Sequence, residues 1–346
     1  MGELAIKTAL GVSALPLNAG DILAARSYDR SPGGAGFDQA LACARLAKCS
    51  LYNDRIRHFA TVSITGDVGD DYHGRAILQA LDVHQINSAR VAQLEGCQTS
   101  KIFAVWDQVD EEATMVVLDP HMGYRTATTI VGDDPGWVPD VIILQAQNLS
   151  DEYLQETINM ANTGKIPVVL SPSPSNEIPQ SVLAGVDHLI ATERECQVLL
   201  RRPSLDHIPA EAWVQEAGFD LRRRGVKNVV INMRSRGVFF YTEDGDSGTI
   251  NFEYGCRGEM NWVKYNLVFR AAYAMAVARN REIFRTEAAI GEAFEVALLA
   301  MKRHCIGLPE LSQLPFSLLR FDHARELEVR RMLEGDRPVA DWLAHR

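Results

Sequence analysis

The feature that most constrains this chain is a series of short, unbroken apolar runs in its middle: DVIILQAQ (140–147), IPVVLSPSP (166–174), VDHLIAT (186–192) and VKNVVINMRSRGVFFY (226–241). A strand that alternates apolar and polar residues has one dry face, whereas a run without alternation needs cover on both faces. Each of the first three runs gives way to a helical or loop segment. Alternating strands and helices predict a doubly wound, mostly parallel α/β sheet, with helices on both faces, right-handed crossovers and ligands bound beyond the carboxyl ends of the strands.

The flanks fit this plan. RHFATVSITGD (57–67) reads as a strand, and DDYHGRAILQALDVHQ (70–85), with apolar residues at helical spacing, as the helix after it. SKIFAVWDQVDEEATMVVLDP (100–120) holds two β-rich runs around a polar turn, the signature of a hairpin. It is expected to stand outside the main sheet as part of a small β lid built from about 20–32 and 98–120. From 261 to 304 the pattern is purely helical. The α/β domain is therefore placed at 1–307 and a helical tail at 308–346, with DHARELEVRRMLEG (322–335) a charged amphipathic helix.

Composition excludes several functions. A formal net charge of −10 leaves no clustered basic face with which to neutralise phosphates, so no nucleic-acid partner is expected. Apolar runs stop well short of the roughly 20 residues that span a membrane, and the first residues carry neither a charged n-region nor a long h-region. These readings predict a cytoplasmic protein without a membrane partner. The six cysteines (43, 49, 97, 196, 256 and 305) form no CxxC pair and read as reduced, mostly buried thiols.

SPGGAGFDQALACARLA (31–47) resembles the glycine-pair motif of the ribokinase or PfkB carbohydrate kinases. The later segments SITGDVGDDYHGRAILQALDVHQIN, PDVIILQAQ, VVLSPSPS, HLIATERECQVLL and GVKNVVINMRSRGVFFY are similar to that family's elements, in its order and at its spacing, over about residues 10–307. The resemblance implies a ribokinase-like fold and an ATP-dependent phosphotransferase acting on a sugar or nucleoside hydroxyl. That chemistry needs a carboxylate to take the hydroxyl proton and backbone amides at a helix N-terminus to hold developing phosphoryl charge. Both come from a Gly-Ala-Gly-Asp motif that opens a helix.

Counting back from FRAAYAMAVAR, the four positions of that motif fall on Lys264, Tyr265, Asn266 and Leu267, so the catalytic aspartate position is Leu267. An aliphatic side chain accepts no proton. Without glycines the amide-exposing turn is also disfavoured, so the helix is expected to run straight through.

Other motif positions depart as well. Gly33, Gly34 and Gly36 persist, while the family's lysine and asparagine are Ala35 and Asp38. The family's first strand, with the aspartate that clamps sugar hydroxyls, is read as absent or rewritten in MGELAIKTALGVSALPLNAGD; the aspartate position falls near Lys7, reversing the charge. The acid expected after 141–144 is Gln147, and Ala191-Thr192 replace proline-asparagine ahead of Glu193 and Glu195. The nucleotide loop keeps Ser235 and Gly237 but has Arg234 for a glycine, where it either fills the phosphate channel or holds an anion.

The candidate site residues are thus Gly33, Gly34 and Asp38 for substrate, Arg234, Ser235 and Gly237 for cofactor, Glu195 for magnesium, and Glu259 in GCRGE (255–259) as a relocated base. Each has a structural alternative. Glu259 is otherwise a turn glutamate favourable to a helix dipole, Glu195 a solvated helix charge, and Asp38 a residue capping or flanking its helix. Two functions follow. One is a degenerate kinase relative, a pseudokinase with a metabolite-binding, regulatory or scaffold role and a sugar or nucleoside as its small-molecule ligand. The other is an active kinase with an atypical site, which alone requires ATP and Mg. A homodimer through the β lid and a protein partner on the C-terminal helix complete the expectations.

Overall fold

The computed structural model describes residues 1–12, 24–48, 60–107, 113–118, 138–172, 177–202, 210–251, 262–279 and 285–303. Its elements in chain order are β1 (Ala5–Val12), β2 (Ser27–Gly33), α1 (Ala35–Lys48), β3 (Ser63–Gly69), α2 (Tyr72–Val83), β4 (Asn87–Leu94), β5 (Ser100–Asp107), β6 (Ala113–Leu118) and β7 (Ile142–Gln145). There follow α3 (Asp151–Thr163), β8 (Val168–Ser171), α4 (Gln180–Leu183), β9 (His188–Thr192), α5 (Glu193–Leu200), α6 (Ala210–Arg223), β10 (Asn228–Asn232), a 3-10 turn at Arg234–Arg236, β11 (Val238–Tyr241), β12 (Ser247–Ile250), α7 (Trp262–Arg279) and α8 (Thr286–Arg303).

The apolar runs at 140–147, 166–174, 186–192 and 226–241 supply β7 to β11, in a six-stranded sheet of order β12-β11-β10-β9-β8-β7. Strands β7 to β10 are parallel, and β11 and β12 are antiparallel additions at one edge. A two-stranded parallel ladder, β3-β4, continues the same layer. The chain start joins them: the Met1 amine donates to Ile143 O at 2.6 Å, Gln145 N donates to Met1 O at 3.0 Å, and Gly2 N reaches Thr65 O at 3.4 Å.

Both faces are covered, as unbroken apolar strands require. Val169, Ile190 and Val230 point to one face, where Phe37 and Leu41 of α1, Ile77 and Leu81 of α2, Phe269 and Tyr273 of α7 and Ile290 of α8 complete a core. Their strand neighbours Val168, Leu170, Leu189, Val229 and Ile231 point to the other, against Leu154 and Ile158 of α3, Val182 of α4, Leu199 of α5 and Trp213 of α6. Period-two alternation within each strand thus builds two cores from one sequence run.

A separate four-stranded sheet, β2-β1-β5-β6, makes the lid. The hairpin around DQVDEE is β5 and β6. Of the two expectations for the first strand, absent or rewritten, the structure removes absence: the strand is present as β1 at the centre of the lid, antiparallel to β2 and parallel to β5, with Lys7 within it. Its apolar spacing is conventional, and only the charge at Lys7 had made it look foreign. Asp71 anchors the lid to the body. Its Oδ1 caps α2 by accepting Gly74 N at 2.8 Å and also takes Thr99 Oγ1 at 2.6 Å, while Oδ2 takes Thr99 N at 3.1 Å. Among the described residues no helix is long and apolar enough to cross a membrane. The expected tail at 308–346 lies outside the described residues.

Candidate functional site

The glycine pair sits where β2 turns into α1. Gly34 has φ of +99°, a conformation open to glycine, and a Cβ there would lie 2.6 Å from Glu3 O. A Cβ on Gly36 would lie 2.5 Å from the Gly2 carbonyl carbon. The first amides of α1 are spent on the same neighbour: Gly36 N and Phe37 N donate to Glu3 O at 3.0 and 3.3 Å. Close packing of the chain start onto α1 is therefore sufficient reason for Gly34 and Gly36.

Beside them stands an ion pair. Lys7 Nζ of β1 lies 3.6 Å from Asp38 Oδ2 of α1, with the two side chains 12% and 23% exposed. Gly33 lies alongside, its missing Cβ 3.3 Å from Lys7 Cβ and 3.8 Å from Asp38 Oδ1. Burial raises the Asp38 carboxyl above the ordinary range, and Lys7 opposes that shift by charge and hydrogen bond. Lid and body thus meet at this end of the cleft through opposite charges.

At the other end, α7 spans Trp262 to Arg279 without a break, so positions 264–267 lie inside a helix. In an α-helix the amide of residue i bonds to the carbonyl of i−4, so the amides of Asn266 and Leu267 point along the axis at Trp262 and Val263. Tyr265 is fully buried, edge-on to Trp262 and stacked on Phe269. Leu267 packs against the core. The Leu267 carbonyl accepts from Gln39 Nε2 at 3.0 Å, and Gln39 Oε1 accepts from Gln145 Nε2 at 3.0 Å. No group at position 267 can take a proton.

Glu195 is turned inward, 7% exposed, in a capping box at the start of α5. Its Oε2 accepts from Thr192 N at 2.6 Å, Thr192 Oγ1 at 2.9 Å and Arg270 Nη2 at 3.4 Å. With three donors already on Oε2, one of them a guanidinium, this oxygen as placed has little left to offer a hydrated divalent cation. Among the described residues no group of three or more His, Cys, Asp or Glu is arranged to hold a metal.

The expected nucleotide loop is a 3-10 turn with Arg234, Ser235 and Arg236 exposed. Arg234 takes up the left-handed conformation, φ +56°, that the expected glycine would occupy without strain. Its amide is held by Asn232 Oδ1 at 3.0 Å, and Asn232 Nδ2 donates to Asn266 Oδ1 at 2.7 Å. Arg236 pairs with Glu193 at 2.5 Å. Gly237, φ +103°, has no room for a side chain, since a Cβ would lie 2.2 Å from Ile250 O.

The structure thus brings Gly33, Gly34 and Asp38 together at one end, and Glu195 to Arg270 at the other. Glu259 lies outside the described residues. Three polar residues were missed from sequence: Arg270, Thr192 as the cap of Glu195, and Gln39. Arg270 left a signal, being a lone charge in FRAAYAMA, the buried middle of α7.

Comparison with known proteins agrees with this layout. The family described as pfkB family carbohydrate kinase matches residues 2–253. The ribokinase of Bacillus subtilis (strain 168) is 24% identical over 288 residues, covering 82% of this chain and 85% of its own. Among solved structures, Arabidopsis thaliana ribokinase complexed with ribose and ATP superposes with a TM-score of 0.68 at 18% identity, covering 96% of this chain and 97% of that one. Thermotoga maritima ribokinase gives 0.68 at 17% identity, with 90% and 95% covered. The fold is that of the ribokinases.

Proposed function

The chain belongs to the pfkB family of carbohydrate kinases, and on that premise we propose that it is a degenerate member: a pseudokinase that binds a small metabolite and serves a regulatory or scaffold role. One observation carries this. Where the family resemblance calls for an aspartate among exposed amides, Leu267 stands in an unbroken helix and its carbonyl is tied to Gln39. Losing the general base, and taking the amides of Asn266 and Leu267 into the helix, removes contributions to transfer that are each worth orders of magnitude in rate. The rewritten sugar clamp, Lys7 against Asp38, and the inward Glu195 support the same reading.

An exposed face of the lid supports a homodimer as part of this reading. Tyr28, Phe103, Val116 and Leu118 are 63%, 42%, 63% and 52% exposed. Register places them on one face: Val116 is opposite Phe103, Leu118 opposite Lys101, and Tyr28 opposite Leu10. A sheet face with these exposed apolar side chains, alongside Lys101 and Arg30, is suited to burial against its own copy by two-fold symmetry. The charged helix expected at 322–335 offers a separate segment for a protein partner, and the cytoplasm is the setting.

The test of the catalytic reading is ADP release by full-length protein given ATP, magnesium and a panel of sugars and nucleosides. No ADP above the protein-free blank is expected, and Glu259→Gln is expected to change nothing. ADP release that vanishes in that variant would establish instead an active kinase with Glu259 as base.

A further inference from the structure

Arg270 is a buried cation short of acceptors. It lies on α7 one turn beyond Leu267 and is 8% exposed. A guanidinium carries five N–H donors. Among the described residues it meets a single hydrogen-bond acceptor, Glu195 Oε2, at 3.4 Å, and its Nε is shut off from solvent with no partner. Charge-assisted N–H···O bonds run at about 2.7–2.9 Å, so this contact is long. The carboxylate is meanwhile shared with two closer donors from Thr192. Buried polar groups as a rule find partners, and an oxyanion would supply the acceptors that this guanidinium lacks.

Its location fits. Glu195 and Thr192 stand at the carboxyl end of β9, and Ser171, at the carboxyl end of neighbouring β8, has a buried hydroxyl without a partner. Ligands of open α/β sheets bind beyond these ends. Resting on the reading of this cleft as a metabolite site without phosphoryl transfer, we propose that Arg270 anchors an oxyanion subsite that takes a phosphate monoester or carboxylate without a divalent metal. The guanidinium swings from Glu195 towards the cleft on binding. Thr192 retains both of its bonds to the Glu195 carboxylate, so that movement leaves the acid solvated by its own cap. The arginine supplies the positive charge that a metal ion would otherwise bring.

Calorimetric titration in EDTA at low ionic strength tests this, using inorganic phosphate, ribose 5-phosphate, ribonate and neutral ribose. Saturable binding by at least one oxyanion is expected, unchanged within about twofold when magnesium replaces EDTA; the phosphate and carboxylate arms then tell the two ligand sources apart. Glu195→Gln, which releases the guanidinium from its competitor, should tighten that binding, an effect a merely structural arginine would not produce. Arg270→Gln should weaken it at least tenfold. If that variant unfolds because Glu195 is left without its cation, the paired Glu195→Gln/Arg270→Gln protein, neutral at both positions, is expected to fold and bind equally weakly. No saturable oxyanion binding in EDTA, a requirement for magnesium, or full affinity in the paired variant would each overturn the proposal. None of these assays contains ATP, so the subsite can fail while the pseudokinase reading stands, and ADP release decides the latter alone.

Discussion

Gln39 Nε2 donates to the carbonyl oxygen of Leu267 at 3.0 Å, and so pins α1 to the turn of α7 on which the sequence resemblance leads one to expect a base. Restoring an acid there should therefore not restore chemistry. Leu267→Asp is expected to release no ADP. It should also lower stability by about 1–3 kcal/mol, because a half-buried aliphatic contact is lost and a carboxylate is partly desolvated. Urea unfolding and a coupled ADP assay on one preparation check both parts. An aspartate variant that turns over ATP would mean that the amides near 267 are free.

His188 and Tyr273 make a second consequential pair, Nδ1 to hydroxyl at 3.0 Å, deep in the body. Burial is the main cause that pulls His188 from an ordinary 6.5 to about 4; Asp187 opposes it and Lys227 adds to it. His84 falls to about 4 as well, by burial and then by Arg45 and Lys48. Folded pKa values below the unfolded one mean that the unfolded chain binds more protons between the two. This stability is whole above about pH 6.5 and is lost as pH falls towards 4, with His188 alone contributing on the order of 3 kcal/mol. Unfolding followed from pH 7 to pH 4 should show the fall, and His188→Gln should make it shallower, with the His84 share remaining. An unchanged slope in the variant would remove His188 as its source.

Arg234 holds φ of +56° at an exposed position. A non-glycine residue pays about 1–2 kcal/mol for that conformation, partly offset in glycine by its greater unfolded-state freedom. Arg234→Gly should raise stability by roughly 0.5–1 kcal/mol, and Arg234→Ala, which keeps a Cβ, should not. Urea midpoints of the three proteins decide it; a destabilised glycine variant would show that the arginine side chain holds the turn.

Phe103 and Val116 face each other across β5 and β6 on the open side of the lid. Phe103→Lys and Val116→Lys should each convert a sedimenting dimer to a monomer at micromolar concentration, without loss of far-ultraviolet circular dichroism, since buried charge is expensive at an apolar interface. Wild-type protein that sediments as a monomer, or charged variants that remain dimeric, would exclude pairing through this face.

Much of the body was legible in advance because its information is local. Unbroken apolar runs such as VDHLIAT carry the requirement for two-sided cover within themselves, and α7 shows its continuity at 264–267 by having no residue that would interrupt it. The site was less so. That the stretch around Lys7 is a lid strand is decided by its pairing with β2 and β5, because strand identity depends on pairing as well as on spacing. The contact of Glu195 with Arg270, 75 positions on, leaves no mark in the local sequence of either residue. Gln39 gave no sign of reaching Leu267, 228 positions away. By itself the sequence determined the alternation of strands and helices, which follows from covalent periodicity, while the glycines at the start of α1 and the leucine in the place of an acid at 267 were legible through the family resemblance. Only the tertiary structure decided which charges meet, because a contact between distant residues is settled by how the layers pack, and spacing along the chain holds no record of it.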